Sequence, residues 1–121
     1  MAIATDIMKA GVSAGMARGI NGQVQSTVTA AGTTQGGAFD LTASINVITT
    51  AAASSGVQLP DSEIGDEVEI LNLGANAVTV YPPSGARINA LSANAGFLLA
   101  TNTSVKVRKF TSTRWTGYLS A

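Results

Sequence analysis

The chain has 121 residues, seven basic and seven acidic side chains that cancel at neutral pH, and neither cysteine nor histidine. That length is one domain, or one small domain with an arm. The composition excludes disulfides and thiolate chemistry, removes the usual neutral-pH general base and the commonest metal ligand, and lacks the basic excess that nucleic-acid binding needs.

In residues 5–20, TDIMKAGVSAGMARGI, Thr5 or Asp6 can cap a helix, and Ile7, Met8, Val12, Met16 and Ile20 recur at near-helical spacing. Gly11, Gly15 and Gly19 recur every four residues, and each costs an isolated helix about 1 kcal/mol relative to Ala. The stretch therefore reads either as a close-packing helix or as an arm that orders on contact. With Ile3 its apolar side chains form a docking face, and residues 1–22 are assigned to an N-terminal arm. Its first residues lack the basic start of a secretory signal, and no run of about 18 apolar residues predicts a membrane span.

Asn21-Gly22 is a turn signal, and residues 23–121 read as one β domain. QVQSTVTAA places Val24, Ser26, Val28 and Ala30 on one face of a half-buried strand. After the GTTQGG loop, Phe39, Leu41, Ala43, Ile45 and Val47 fall on one face of one long strand or two short ones. A short strand runs from Gly56 to Pro60, and DSEIGD is an acidic turn. In DEVEILNL, Val68, Ile70 and Asn72 oppose Glu67, Glu69 and Leu71. AVTVY ends at Pro82-Pro83-Ser84-Gly85, and Ile88 sits in a brief extended piece. FLLAT and SVKVRKF, joined by a short turn, predict a hairpin, and RWTGYL is the last strand. Turns every eight to twelve residues give an all-β class, expected as a small β-sandwich or β-barrel (jelly-roll- or tulip-like) with an extended, partly helical N-terminal arm. The predicted core is Val68, Ile70, Val78, Val80, Leu99, Val105, Val107 and Trp115.

The two halves differ in charge. The first sixty residues carry only Asp6, Lys9, Arg18 and Asp40 as ionised groups. Such a half has few large apolar groups for a core of its own, and too little charge for a solvated disordered tail, so it is expected to order against something else. Balanced charge also favours self-association.

Two clusters deserve weighing as sites. Asp61, Glu63, Asp66, Glu67 and Glu69 are dense in carboxylates but match no calcium-loop spacing, and Glu67 and Glu69 share the outer face of a strand. Lys106, Arg108, Lys109 and Arg114, with Trp115 and Tyr118 nearby, could bind a nucleic-acid strand or a sugar. The preferred reading pairs Lys106 and Arg108 with Glu67 and Glu69 across strands or across a subunit boundary. Trp115, Tyr118 and Tyr81 read as core or interface anchors before they read as a sugar platform. No phosphate loop or dinucleotide fingerprint occurs, and no catalytic residue, cofactor or metal is expected.

Residues 65–121 carry G-D-x-V-x-I-x-N-x-G-A-N-A-V-x-V-Y-P-P-x-G, then Ile88-Asn89, then a closing Trp after a Thr-rich turn, with a lead-in of the same character over residues 30–60. In this the chain resembles small virion proteins of tailed bacteriophages: capsid decoration (cement) proteins, or small β modules of head and tail fibres. The resemblance implies a non-enzymatic, β-rich homotrimer on the outside of an icosahedral capsid, made in the bacterial host cytoplasm. It implies an extended arm gripping the shell and the major capsid protein as partner, with no nucleic-acid or membrane partner.

The expected interface residues are Ile3, Ile7, Met8, Val12, Met16 and Ile20 on the arm and Glu67, Glu69, Lys106 and Arg108 at a polar rim. The alternative is a receptor- or glycan-binding β module of a phage head or tail fibre, marked by exposed Trp115, Tyr118 or Tyr81. A third reading is a carboxylate-dependent hydrolase using two acidic residues within 61–69.

Overall fold

The computed structural model describes residues 24–119. Among them are ten strands and no helix: β1 (Val24–Thr29), β2 (Phe39–Asp40), β3 (Ile45–Thr50), β4 (Gly56–Gln58), β5 (Glu67–Asn72), β6 (Val78–Tyr81), β7 (Arg87–Ile88), β8 (Phe97–Leu99), β9 (Thr103–Thr111) and β10 (Arg114–Leu119). The protein is all-β. The predicted arm, residues 1–22, and the Asn21-Gly22 turn lie outside the described residues.

Successive strands do not pair with one another along the first part of the chain. They alternate between a six-stranded sheet, ordered β1-β3-β5-β9-β10-β7, and a four-stranded sheet, ordered β2-β4-β6-β8. β1, β3 and β5 run parallel in the first sheet, and β2, β4 and β6 run parallel in the second. Parallel neighbours need a crossover between them, and here each crossover is a strand of the opposite sheet. Each pair of strands is one coil, and the coils stack as a β-solenoid. Register aligns Val28, Ile48 and Asn72 up one wall and Phe39, Val57 and Val80 up the other.

This corrects the expected sandwich or barrel. Short strands with regular turns are common to both architectures, and the turns here are corners that carry the chain from one sheet to the other. The predicted hairpin of FLLAT and SVKVRKF is corrected for the same reason: β8 pairs with β6, and β9 pairs with β5 and β10. The hairpin lies one turn later, between β9 and β10, where the stack ends in antiparallel pairing.

All eight predicted core side chains are buried between the sheets, joined by Val28, Leu41, Ile48, Val57 and Ile88. The β3 prediction needs correcting. Ile45 and Val47 are only half-buried, whereas Asn46 and Ile48 point inward. The chain leaves β2 in one sheet and enters β3 in the other, and the corner between them resets the alternation that carried Leu41 and Ala43 inward.

Two buried asparagines hold the corners. Asn72 Nδ2 donates to Asn76 O at 3.0 Å and to Leu99 O at 3.0 Å, while its Oδ1 accepts from Gly74 N at 2.9 Å. Asn46 Nδ2 donates to Ala43 O at 2.9 Å and, more weakly, to Glu69 O at 3.4 Å. Corners have no ladder to satisfy their peptide groups, so a short amide side chain inside the coil takes that place. Stacked corners also approach closely. A Cβ at Gly74 would lie 2.7 Å from Ala51 Cβ, so only glycine fits.

Candidate interaction surface

The outer face of the larger sheet gathers the predicted polar rim. β5 and β9 are antiparallel, which sets Glu67 opposite Arg108 and Glu69 opposite Lys106. Period-two alternation turns these four side chains outward while Val68, Ile70, Val105 and Val107 face the core. Glu67 forms an ion pair with Arg108, and Lys106 Nζ approaches Glu67 at 3.9 Å. Both pairs are solvent-exposed, so each contributes about 0–1 kcal/mol and acts mainly on register.

The other two members of the basic cluster are tied to backbone oxygens. Lys109 Nζ donates to Ser62 O at 2.6 Å, and Arg114 reaches Asn89 O through Nε at 3.3 Å and Nη2 at 3.1 Å. The cluster is therefore divided between ion pairing and turn support, and does not form one continuous cationic surface.

The acidic cluster divides as well. Asp66 Oδ2 accepts from Glu63 N at 2.9 Å and closes its own turn, while Glu67 faces the cations on β9. Asp61 lines a separate recess of about 650 Å³, together with Asp40, Gln58, Leu59 and Ser84. The neighbourhood of Asp40 and Asp61 was invisible in the sequence, because it depends on β2 and β4 lying side by side. No group of three acidic residues that could hold a metal ion occurs among the described residues.

The aromatic side chains take three different roles. Trp115 is 0% exposed at the centre of the core, which removes it as an exposed sugar platform. Tyr81 is half-buried: its ring lies over Gly56, where a Cβ would come within 2.7 Å of it, and its hydroxyl donates to Thr33 O at 3.3 Å. Tyr118 is 74% exposed on β10, beside Lys106, Arg108, Glu67 and Thr116 around a shallow recess of about 200 Å³.

Large apolar groups are exposed at both ends of the stack and, at Ile64, Leu73 and Phe110, along its length. Val24 lies on the edge strand β1, Leu98 on the edge strand β8, and Leu119 at the end of β10. These positions were missed in the sequence, where each is one more apolar residue in an alternating run. The predicted arm residues Ile3, Ile7, Met8, Val12, Met16 and Ile20 lie outside the described residues. Comparisons with protein-family models, with curated proteins and with solved structures found no match.

Proposed function

We propose that this chain is a structural subunit of a virion: a capsid decoration, or cement, protein that assembles as a homotrimer on the capsid exterior and clamps neighbouring major capsid subunits. The observation that carries this reading is the exposure, among the described residues, of large apolar side chains at both ends of the stack, at Val24, Leu98 and Leu119. Edge strands and apolar ends of this kind are surfaces for protein contact. Glu67 pairing with Arg108 and Lys106 leaves a mixed, balanced rim, suited to registering a partner more than to attracting one by net charge. The role is one of contact, without catalysis or cofactor, and the N-terminal residues Ile3, Ile7, Met8, Val12, Met16 and Ile20 supply further docking groups.

Light scattering on the purified chain tests the assembly. The expected mass is three times the 12.2 kDa of one chain, and a monodisperse monomer contradicts the reading. Co-sedimentation with empty phage shells tests the partner, with saturable binding expected.

The exposure of Tyr118 favours a second reading, a glycan- or receptor-binding module of a head or tail fibre. A glycan array that yields a specific ligand, lost on Tyr118→Ala, would select this reading over the first.

A further inference from the structure

The two sheets end at different places. The smaller sheet stops at β8, whereas the larger continues past the strand facing it through β10 and β7. Leu119 pairs in register with Val105 and so lies on the core side of its sheet, yet it is 60% exposed where Val105 is 2% exposed. Among the described residues, no strand of the smaller sheet stands opposite it. The result is a groove of about 420 Å³ lined by Leu91, Phe97, Val105, Gly117 and Leu119, with Asn89 at its side and no charged group in its lining.

The edge of β10 is unfinished at the same place. Asn89 N donates to Trp115 O at 2.8 Å, and Asn89 Oδ1 accepts from Gly117 N at 3.0 Å. The peptide groups of alternate residues 115 and 117 thus point toward β7, and by the same alternation so do those of Leu119. β7 has already ended at Ile88, and a side chain closes its last position. An apolar floor beside a strand edge that has no partner among the described residues suits an extended apolar segment.

We infer that this groove receives residues 1–23 of a neighbouring copy. Residues 1–23 hold Ile3, Ile7, Met8, Val12, Met16 and Ile20 with just three ionised side chains, Asp6, Lys9 and Arg18. Low charge and regular apolar groups match an uncharged groove. The segment joins the chain at β1, at the opposite end of the stack from the groove. Complementary parts at opposite ends of a subunit make a heterologous contact, which closes into a ring when the rotation per step allows. This rests on the assembly reading above and deepens it: the segment binds copies to one another.

The test is photo-crosslinking of the full chain carrying Leu119→p-benzoylphenylalanine, a position exposed enough to accept the change. After irradiation of the assembled protein, the expected product is a covalent dimer whose digest joins position 119 to a peptide from residues 1–23. Its yield should fall at least tenfold when residues 1–23 are removed. A link within one chain, a link to residues 24–121, or no link in a protein that light scattering shows to be multimeric each overturns the inference and leaves the assembly reading standing. A monomeric mass overturns both.

Discussion

The parallel coils, β1 to β6, and the antiparallel close, β9 and β10, bury the same kinds of side chain by different means. In the coils every strand borrows its partners from a coil earlier or later, so corners must be stitched individually, and Asn46 and Asn72 do this from inside the core. In the close, one hairpin supplies its own ladder, and a single large side chain, Trp115, fills the space beneath it. Sequence-local pairing needs little beyond alternation, whereas non-local pairing needs polar groups placed where a hydrophobic pattern would forbid them.

Truncating the filler of the closing hairpin gives the largest expected effect. Trp115→Ala should cost about 3–5 kcal/mol, comparable with the whole stability of a small domain. Denaturant unfolding followed by far-ultraviolet circular dichroism measures this, and a loss below 1 kcal/mol would deny that the hairpin is seated on this residue.

Next in size is Asn72→Ala. It leaves two carbonyls and one N–H at the corner without their partner, at about 1–3 kcal/mol for each group that water fails to reach. Asn46→Ala should cost less, since that side chain makes one short bond and one long one and its Oδ1 has no partner among the described residues. The pair of values sharpens the comparison, and equal losses would show that the corner bonds are not what holds the coils. Because Trp115 is the single tryptophan of the chain, its fluorescence reports the hairpin while circular dichroism reports all strands. The two transitions of Asn72→Ala should coincide if coils and hairpin unfold together.

Gly56→Ala follows. The added methyl meets the Tyr81 ring at 2.7 Å and Thr79 O at 2.9 Å, and crowding of this kind costs about 1–3 kcal/mol. Thermal unfolding measures it, and Tyr81→Ala in the same chain should recover part of the loss by removing the ring.

The smallest effect belongs to the outer rim. Glu67→Gln should change stability by no more than about 1 kcal/mol, with the difference shrinking further in high salt. Denaturant midpoints at low and high ionic strength check this.

The same contrast explains what could be read from the sequence. Val68, Ile70, Val105 and Val107 were legible as core, and Glu67, Glu69, Lys106 and Arg108 as outward-facing charges, because β5 and β9 are long enough to display alternation without interruption. Asn72 was legible as inward by period and illegible in purpose, since its partners at Asn76 and Leu99 depend on the stacking of corners. The coil architecture itself was hidden. A corner and a hairpin turn use the same residues, and left-handed Ser54, Asn89, Asn94 and Asn102 suit either. The register partners Phe39, Val57 and Val80 are also unevenly spaced along the chain, so no repeat period announces them. The groove at Leu119 was hidden for a further reason: it arises from one sheet having fewer strands than the other, a property of no local stretch.

The uneven spacing of the coils carries a consequence for how such a protein can vary. Because each coil touches only the coils next to it, a whole turn of chain inserted between β4 and β5 would lengthen the stack by about 4.8 Å and leave the strands at its two ends unchanged. The span between the two ends of the stack is thus adjustable in fixed steps, a quantity that design can tune without rebuilding either end.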